Sequence, residues 1–144
     1  MKVKFKKLTP GAVTPMKATD GSACFDLYVA TDAEARTVFK GAPGVLHTGL
    51  AVEVPAGHVM LVFSRSGHGF RDGIRLVNCV GVIDSDYRGE LLVKLTSDMH
   101  TNSFLPGDRI AQAMILPVPE VTWEETHQLA ATVRGDGGLG STGA

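Results

Sequence analysis

The chain has 144 residues, enough for one domain with its own core. Hydrophobic residues make up 44% and charged residues 20%, which excludes an intrinsically disordered chain. The formal net charge of −1 provides no overall field for nucleic acid or an anionic membrane, so an anionic ligand must be met by local arginines.

In chain order, Met1 to Lys7 alternates charged with apolar residues. It lacks the uninterrupted apolar stretch of a signal peptide and reads as a first strand over Lys2 to Lys7. Further strands are expected at Cys24 to Val29, Val45 to Leu50, His58 to Phe63, Leu76 to Ile83, Glu90 to Thr96, Arg109 to Leu116 and Val121 to Glu124. A short helix fits either Ser64 to Phe70 or Thr31 to Arg36. Seventeen glycines and seven prolines are scattered along the chain and cut it into short pieces, the pattern of an all-β barrel or sandwich. No apolar run approaches the ~20 residues that span a bilayer. Cys24 and Cys79 fall in expected buried strands, and two such thiols without an export signal suit a reducing, cytoplasmic (or nuclear) compartment with no disulfide. Leu116-Pro117-Val118-Pro119-Glu120 reads as a stiff extended connector. The Gly-rich end, residues 134–144, is too rich in glycine to be rigid alone.

Four stretches could carry chemistry. In Asn78 to Glu90, an apolar run, Val80 to Ile83, expected to be buried, meets the polar bend Asp84-Ser85-Asp86 and resumes at Leu91; this reads as a hairpin. Two carboxylates and Tyr87 at that bend suit a general base beside a flat ligand, and they equally suit an Asx-type turn. Arg65, Ser66 and the Gly67 N–H form a compact anion-binding set at a strand end, or a polar turn with a solvated arginine. In Gly107-Asp108-Arg109-Ile110-Ala111-Gln112, the charged pair is more often structural, and Gln112 points inward and needs a partner. In the tail, Arg134, convergent glycine N–H groups, Ser141 and Thr142 could meet phosphate, although no P-loop pattern is present. The five histidines and two cysteines lack metal-site spacing.

Gly21-Ser22-Ala23-Cys24-Phe25-Asp26-Leu27, Ser64-Arg65-Ser66-Gly67, Gly81-Val82-Ile83-Asp84-Ser85-Asp86-Tyr87-Arg88-Gly89, Gly107 to Gln112, and Arg134 to Gly143 occur in that order. Together they resemble the five motifs of the trimeric dUTPase family. The resemblance implies a jelly-roll-like β-barrel spanning residues 1–133 with a flexible Gly-rich C-terminal lid at 134–144. It implies hydrolysis of dUTP to dUMP and diphosphate with Mg²⁺, in a homotrimer whose sites are shared between subunits. Asp84 matches the residue that activates water. Tyr87 matches the residue that packs on deoxyribose. Asn78, Val82, Ile83 and Asp84 match the uracil-reading hairpin. Arg65, Ser66, Gly67 and Gln112 match phosphate contacts. Arg134, Gly140, Ser141 and Thr142 match the closing tail, and Leu139 stands where the family usually has an aromatic residue that stacks on uracil. Asp26 matches a carboxylate near the metal's water shell; no direct protein ligand to Mg²⁺ is implied. Cys24 replaces a usual glycine. The rival readings are dCTP deaminase, which shares the fold but lacks the Asp-Ser-Asp-Tyr-Arg-Gly run, and a dUTPase-like trimer with an added regulatory protein-binding role.

Overall fold

Alternation along Leu91, Val93 and Leu95 buries one side of an eight-residue strand and leaves Leu92 and Lys94 outside. The computed structural model describes residues 1–139 and Ser141. The elements in chain order are β1 (Lys4–Lys7), β2 (Phe25–Tyr28), β3 (Arg36–Val38), β4 (Gly44–Glu53), β5 (His58–Phe63), α1 (Ser66–Asp72), β6 (Ile74–Leu76), β7 (Gly81–Ile83), β8 (Glu90–Ser97), β9 (Asn102–Phe104) and β10 (Arg109–Pro117). Two four-stranded sheets, ordered β1-β4-β8-β6 and β2-β10-β5-β7, share one core with the small β3-β9 pair. All pairings between these strands are antiparallel. The result is the expected jelly-roll-like all-β fold, although hydrogen bonding does not close the two sheets into one barrel.

The core joins Leu27 of β2, Val62 of β5 and Ala111 and Ala113 of β10 to Leu46 of β4 and Val93 of β8. The non-local pairing puts chemistry-bearing turns at strand ends, where backbone can leave the sheet.

Several expected elements differ. The run Leu76 to Ile83 is not one strand: β6 and β7 belong to different sheets, split by a turn at residues 77–80. The expected hairpin across Asp84 to Gly89 is absent, because β7 pairs with β5 while β8 pairs with β4 and β6, so the bend crosses from one sheet to the other. Val80 to Ile83 is not a buried run either. Edge strand β7 turns Val82 outward, 61% exposed, and buries Gly81. Cys79 lies outside any strand and is exposed, and Cys24 is half-buried just before β2; both thiols are free. Val121 to Glu124 is not a strand, since it meets no sheet edge within the chain, and Trp123 is 93% exposed. The helix is Ser66–Asp72, and Thr31 to Arg36 forms a turn leading into β3. Past Val118, whose N–H donates to Gly57 O at 2.8 Å, the described residues form no strand or helix. No helix among the described residues is long and apolar enough to cross a membrane.

β4 carries a bulge between His47 and Ala51, where Gly49 takes φ 65° and its N–H donates to Glu90 Oε1 at 2.8 Å. A Cβ there would lie 2.7 Å from Thr9 Oγ1. Gly49→Ala should therefore lower unfolding free energy by at least about 1–2 kcal/mol, the cost of left-handed backbone for an L-residue. Urea unfolding at one fixed protomer concentration measures this, and an unchanged midpoint would contradict the role given to the bulge.

Candidate functional site

The residues expected to bind an anion, Arg65, Ser66 and Gly67, follow the end of β5. Arg65 is the N-cap of α1 and makes no side-chain cap, so the first N–H groups of the helix, from Ser66 and Gly67, carry no side-chain acceptor. Two bonds to Ser64 fix the loop. Its hydroxyl accepts from Leu76 N–H at 2.9 Å, and its carbonyl accepts from Gln112 Nε2 at 2.9 Å. Gln112 does not point inward as expected: its neighbours Ala111 and Ala113 face the core, so its half-buried side chain lies on the outer face, where Ser64 O is its partner. Register explains the rest: Gln112 of β10 lies opposite both Asp26 of β2 and Phe63 of β5, so three strands bring their side chains to one outer patch. A cavity of about 290 Å³ there is lined by Asp26, Arg65, Ser66, Gly67 and Gln112, with Cys24 on its wall.

Asp26 is only 7% exposed. Its Oδ1 accepts from Arg65 Nε at 3.1 Å and its Oδ2 from Arg109 Nη1 at 3.3 Å. Among the described residues, the terminal nitrogens of Arg65 make no hydrogen bond, leaving a fork free for a phosphate oxygen. No group of three or more His, Cys, Asp and Glu side chains converges among the described residues. The Asp26 carboxylate is already paired with two guanidiniums.

Asn78, Val82, Ile83, Asp84 and Tyr87 form a second group around β7. Val80 N–H donates to Asn78 O at 2.6 Å across Cys79, which has φ 62°. This is a γ-turn with a strained non-glycine centre, a feature common where function needs a fixed geometry. A Cβ on Gly81 would sit 3.1 Å from Val62 Cβ and 3.8 Å from Asn78 Nδ2, so the missing side chain lets β7 pack closely beside the amide. After β7, Tyr87 N–H donates to Asp84 O at 3.3 Å, and Tyr87 OH donates to Glu90 O at 2.9 Å. Gly89 is needed because a Cβ would strike the Tyr87 ring. The Asp84 carboxylate is exposed and makes no hydrogen bond or ion pair among the described residues, so it is not spent on capping a turn.

A third group lies in the tail. Arg134 is exposed and donates from Nε to Gly137 O at 3.0 Å, so the tail turns on itself. Leu139 and Ser141 are exposed; Gly140 and Thr142 lie outside the described residues.

One chain does not assemble these groups into one site. Gly81 is opposite Val62 and Ile83 is opposite Met60, which places Asp84 level with Val59 at the far end of β5 from Arg65. From Val59 to Arg65 the chain runs through the rest of β5 and two residues beyond it, and at about 3.3 Å per extended residue this puts their backbones up to roughly 20 Å apart.

The sequence model of the dUTPase family matches residues 11–143. The chain belongs to the dUTPase family. It is 43% identical to the deoxyuridine 5'-triphosphate nucleotidohydrolase of Anaplasma marginale and 42% identical to that of Dictyoglomus turgidum, in both cases over 99% of either chain. Among solved structures it is similar to a dUTPase of Staphylococcus bacteriophage 80alpha with dUpNHpp, at a TM-score of 0.90 and 23% identity over 99% of both chains. It is also similar to the dUTPase of phage phi11 of S. aureus, at a TM-score of 0.81 and 21% identity, covering 92% of this chain and 100% of that one. At those identities the structural likeness concerns the fold.

Sequence reasoning missed Ser64 as the clamp of the arginine loop and His68 beneath it. Nothing in a lone Ser or His marks such roles; both come from long-range packing. The His68 ring packs edge-on to Phe104 at 5.7 Å, and its buried Nδ1 has no partner. Burial first, and the Arg65 charge second, hold its pKa below the ordinary histidine value. The unfolded chain therefore takes up this proton first as pH falls, so the group's contribution to stability is lost below about pH 6.5. Between about pH 7 and about pH 5, His68→Leu should lose less stability than the parent chain, and parallel curves from chemical denaturation would remove His68 as the cause.

Proposed function

We propose that this dUTPase-family chain acts as a dUTP diphosphatase, hydrolysing dUTP to dUMP and diphosphate, with Asp84 activating the water that attacks the α-phosphate. The separation of Asp84 from Arg65 carries the reading of how the site is assembled. A base and a phosphate clamp at opposite ends of β5 cannot act on one phosphate, so the Arg65 cavity of one copy must meet the Asp84 bend of another. A homotrimer with sites shared between copies satisfies this. The exposed apolar residues Val82, Val121, Trp123 and Leu129 supply surface for such contacts. Val121 to Glu124, past the Pro117–Pro119 connector, is free to pair with a neighbour's sheet edge.

In this assembly Arg65, Ser66, Gly67 and Gln112 bind the phosphates. Asn78 and the backbone of Val82, Ile83 and Asp84 read the uracil edge. Tyr87, braced by its bond to Glu90 O, presents its ring to the deoxyribose and disfavours a 2′-hydroxyl. Mg²⁺ would come with the triphosphate, through phosphate oxygens and waters beside Asp26, and neutralises charge on the phosphates. Residues 1–133 act as the folded domain and 134–144 as a lid, in which Arg134, Gly140, Ser141 and Thr142 close on phosphate and Leu139 covers the base. The free, exposed Cys79 thiol suits a reducing cytosol.

Purified protein with Mg²⁺ should release diphosphate from dUTP and little from dTTP or UTP. Ammonia from dCTP would instead favour a deaminase. Asp84→Asn should lower kcat at least ~10²-fold while an imido analogue of dUTP still binds, because only the basic oxygen is lost. Near-normal turnover would place water activation elsewhere.

Deleting residues 135–144 should leave the oligomer and its melting temperature unchanged and cut kcat strongly, since closure excludes water and aligns the α-phosphate. Leu139→Phe should preserve or raise activity by adding stacking surface. Full turnover by the truncated protein would dismiss the lid.

A further inference from the structure

We infer that Arg109 is a positioning residue for Arg65, aimed by a one-residue bulge in β10. The inference rests on reading the Arg65 cavity as the phosphate site. β10 pairs Gln112 with Asp26 and Ala111 with Leu27, then slips, so that Arg109 and not Ile110 faces Tyr28. Opposite residues in an antiparallel pair share a face, and so do residues two apart. With regular register Ile110 would point to the Asp26 side and Arg109 into the core. The slip instead buries both Ile110 and Ala111 completely and turns Arg109 onto the face of Asp26. The turn before it is pinned at both ends: Val29 N–H donates to Asp108 O at 2.9 Å, Gly107 N–H donates to Val29 O at 3.0 Å, and Asp108 Oδ2 accepts from Leu105 N–H at 2.8 Å.

Arg109 does not line the phosphate cavity. It reaches Asp26 from a separate cavity of about 280 Å³, whose lining also includes Arg65, His68, Arg71 and Asp72. Its effect must therefore pass through Asp26. A carboxylate facing a single arginine pairs with it through both oxygens and engages a terminal nitrogen as well as Nε. Because Arg109 occupies Oδ2 at 3.3 Å, Asp26 takes Arg65 through Oδ1 and Nε alone. The Arg65 terminal nitrogens are left for the phosphate. Without Arg109, Asp26 would rotate onto Arg65 and compete with substrate for that fork.

Arg109→Gln, Arg109→Lys, Arg65→Gln and the double Gln variant of the full-length protein test this, read by binding of an imido dUTP analogue and of deoxyuridine, with kcat and KM for dUTP. Arg109→Gln should weaken the analogue about tenfold, the scale of one lost charge-assisted hydrogen bond, and leave deoxyuridine binding unchanged. Arg109→Lys should restore most of the loss, since one donor at Oδ2 suffices. In the Arg65→Gln background, Arg109→Gln should add little, because the group it positions is gone. Additive losses, equal loss of nucleoside binding, or unchanged analogue affinity would each overturn the inference. Parent protein that neither binds the analogue nor hydrolyses dUTP would overturn the functional reading itself, and this inference with it.

Discussion

The Asp26 carboxylate is the constraint on which the site depends. A charge 7% exposed persists in a fold only when other charges and hydrogen bonds replace its water. Here the replacements come from far along the chain: Arg65 from the loop after β5 and Arg109 from the start of β10. Removing either partner leaves a buried charge half-compensated, so the arrangement ties three strands together and fixes the direction of Arg65. It sits on the outer face of its sheet, one residue from Leu27 in the core, so the alternation that builds the core also delivers Asp26, Gln112 and Arg109 to one polar patch.

The second constraint is length. β5 separates the anion patch from the Asp84 bend, and no side chain spans that strand. In the proposed reading a single chain therefore holds the two halves of the site at opposite ends of β5. The exposed apolar residues tell the same story from the surface. Val82 lies on edge strand β7, and Trp123 and Leu129 lie on the segment after β10, which pairs with no strand of its own chain among the described residues. The proposed trimer has to meet both requirements, covering these residues and bringing Arg65 to Asp84.

Much of this was legible in the sequence where periodicity and chemistry agree. β5 spans His58–Phe63 as expected, and β8 and β10 differ by one residue, because their apolar alternation is long and bounded by turn residues. Arg65, Ser66, Gly67 and Gln112 were recognisable as a set, and they do share a cavity with Asp26. What failed was local reasoning about non-local partners. Leu76 to Ile83 looks like one buried strand, yet its two halves pair with different sheets and Cys79 breaks it in a left-handed turn. Val121 to Glu124 has strand composition but no partner within the chain. β3 and β9 span three residues each and carry too little pattern to detect. The reach of Arg109 to Asp26 was not legible, because a bulge, which shifts a side chain from one face to the other, leaves no mark on residue type.

The tail adds a step that follows from its composition. Ordering a glycine-rich segment costs about 1–2 kcal/mol of backbone entropy per residue. Leu139 is the only large apolar side chain in residues 134–144 that could offset this by covering the base. With an aromatic residue at that position, stacking on uracil would favour closure over any uracil nucleotide. With leucine, the proposed lid would draw more of its closing free energy from phosphate oxygens meeting Arg134, hydroxyls and backbone N–H groups. Those contacts are most numerous with a triphosphate and are lost once diphosphate leaves. In the proposed mechanism the substitution therefore makes closure discriminate substrate from product: dUTP holds the lid, dUMP does not, and hydrolysis itself reopens the site.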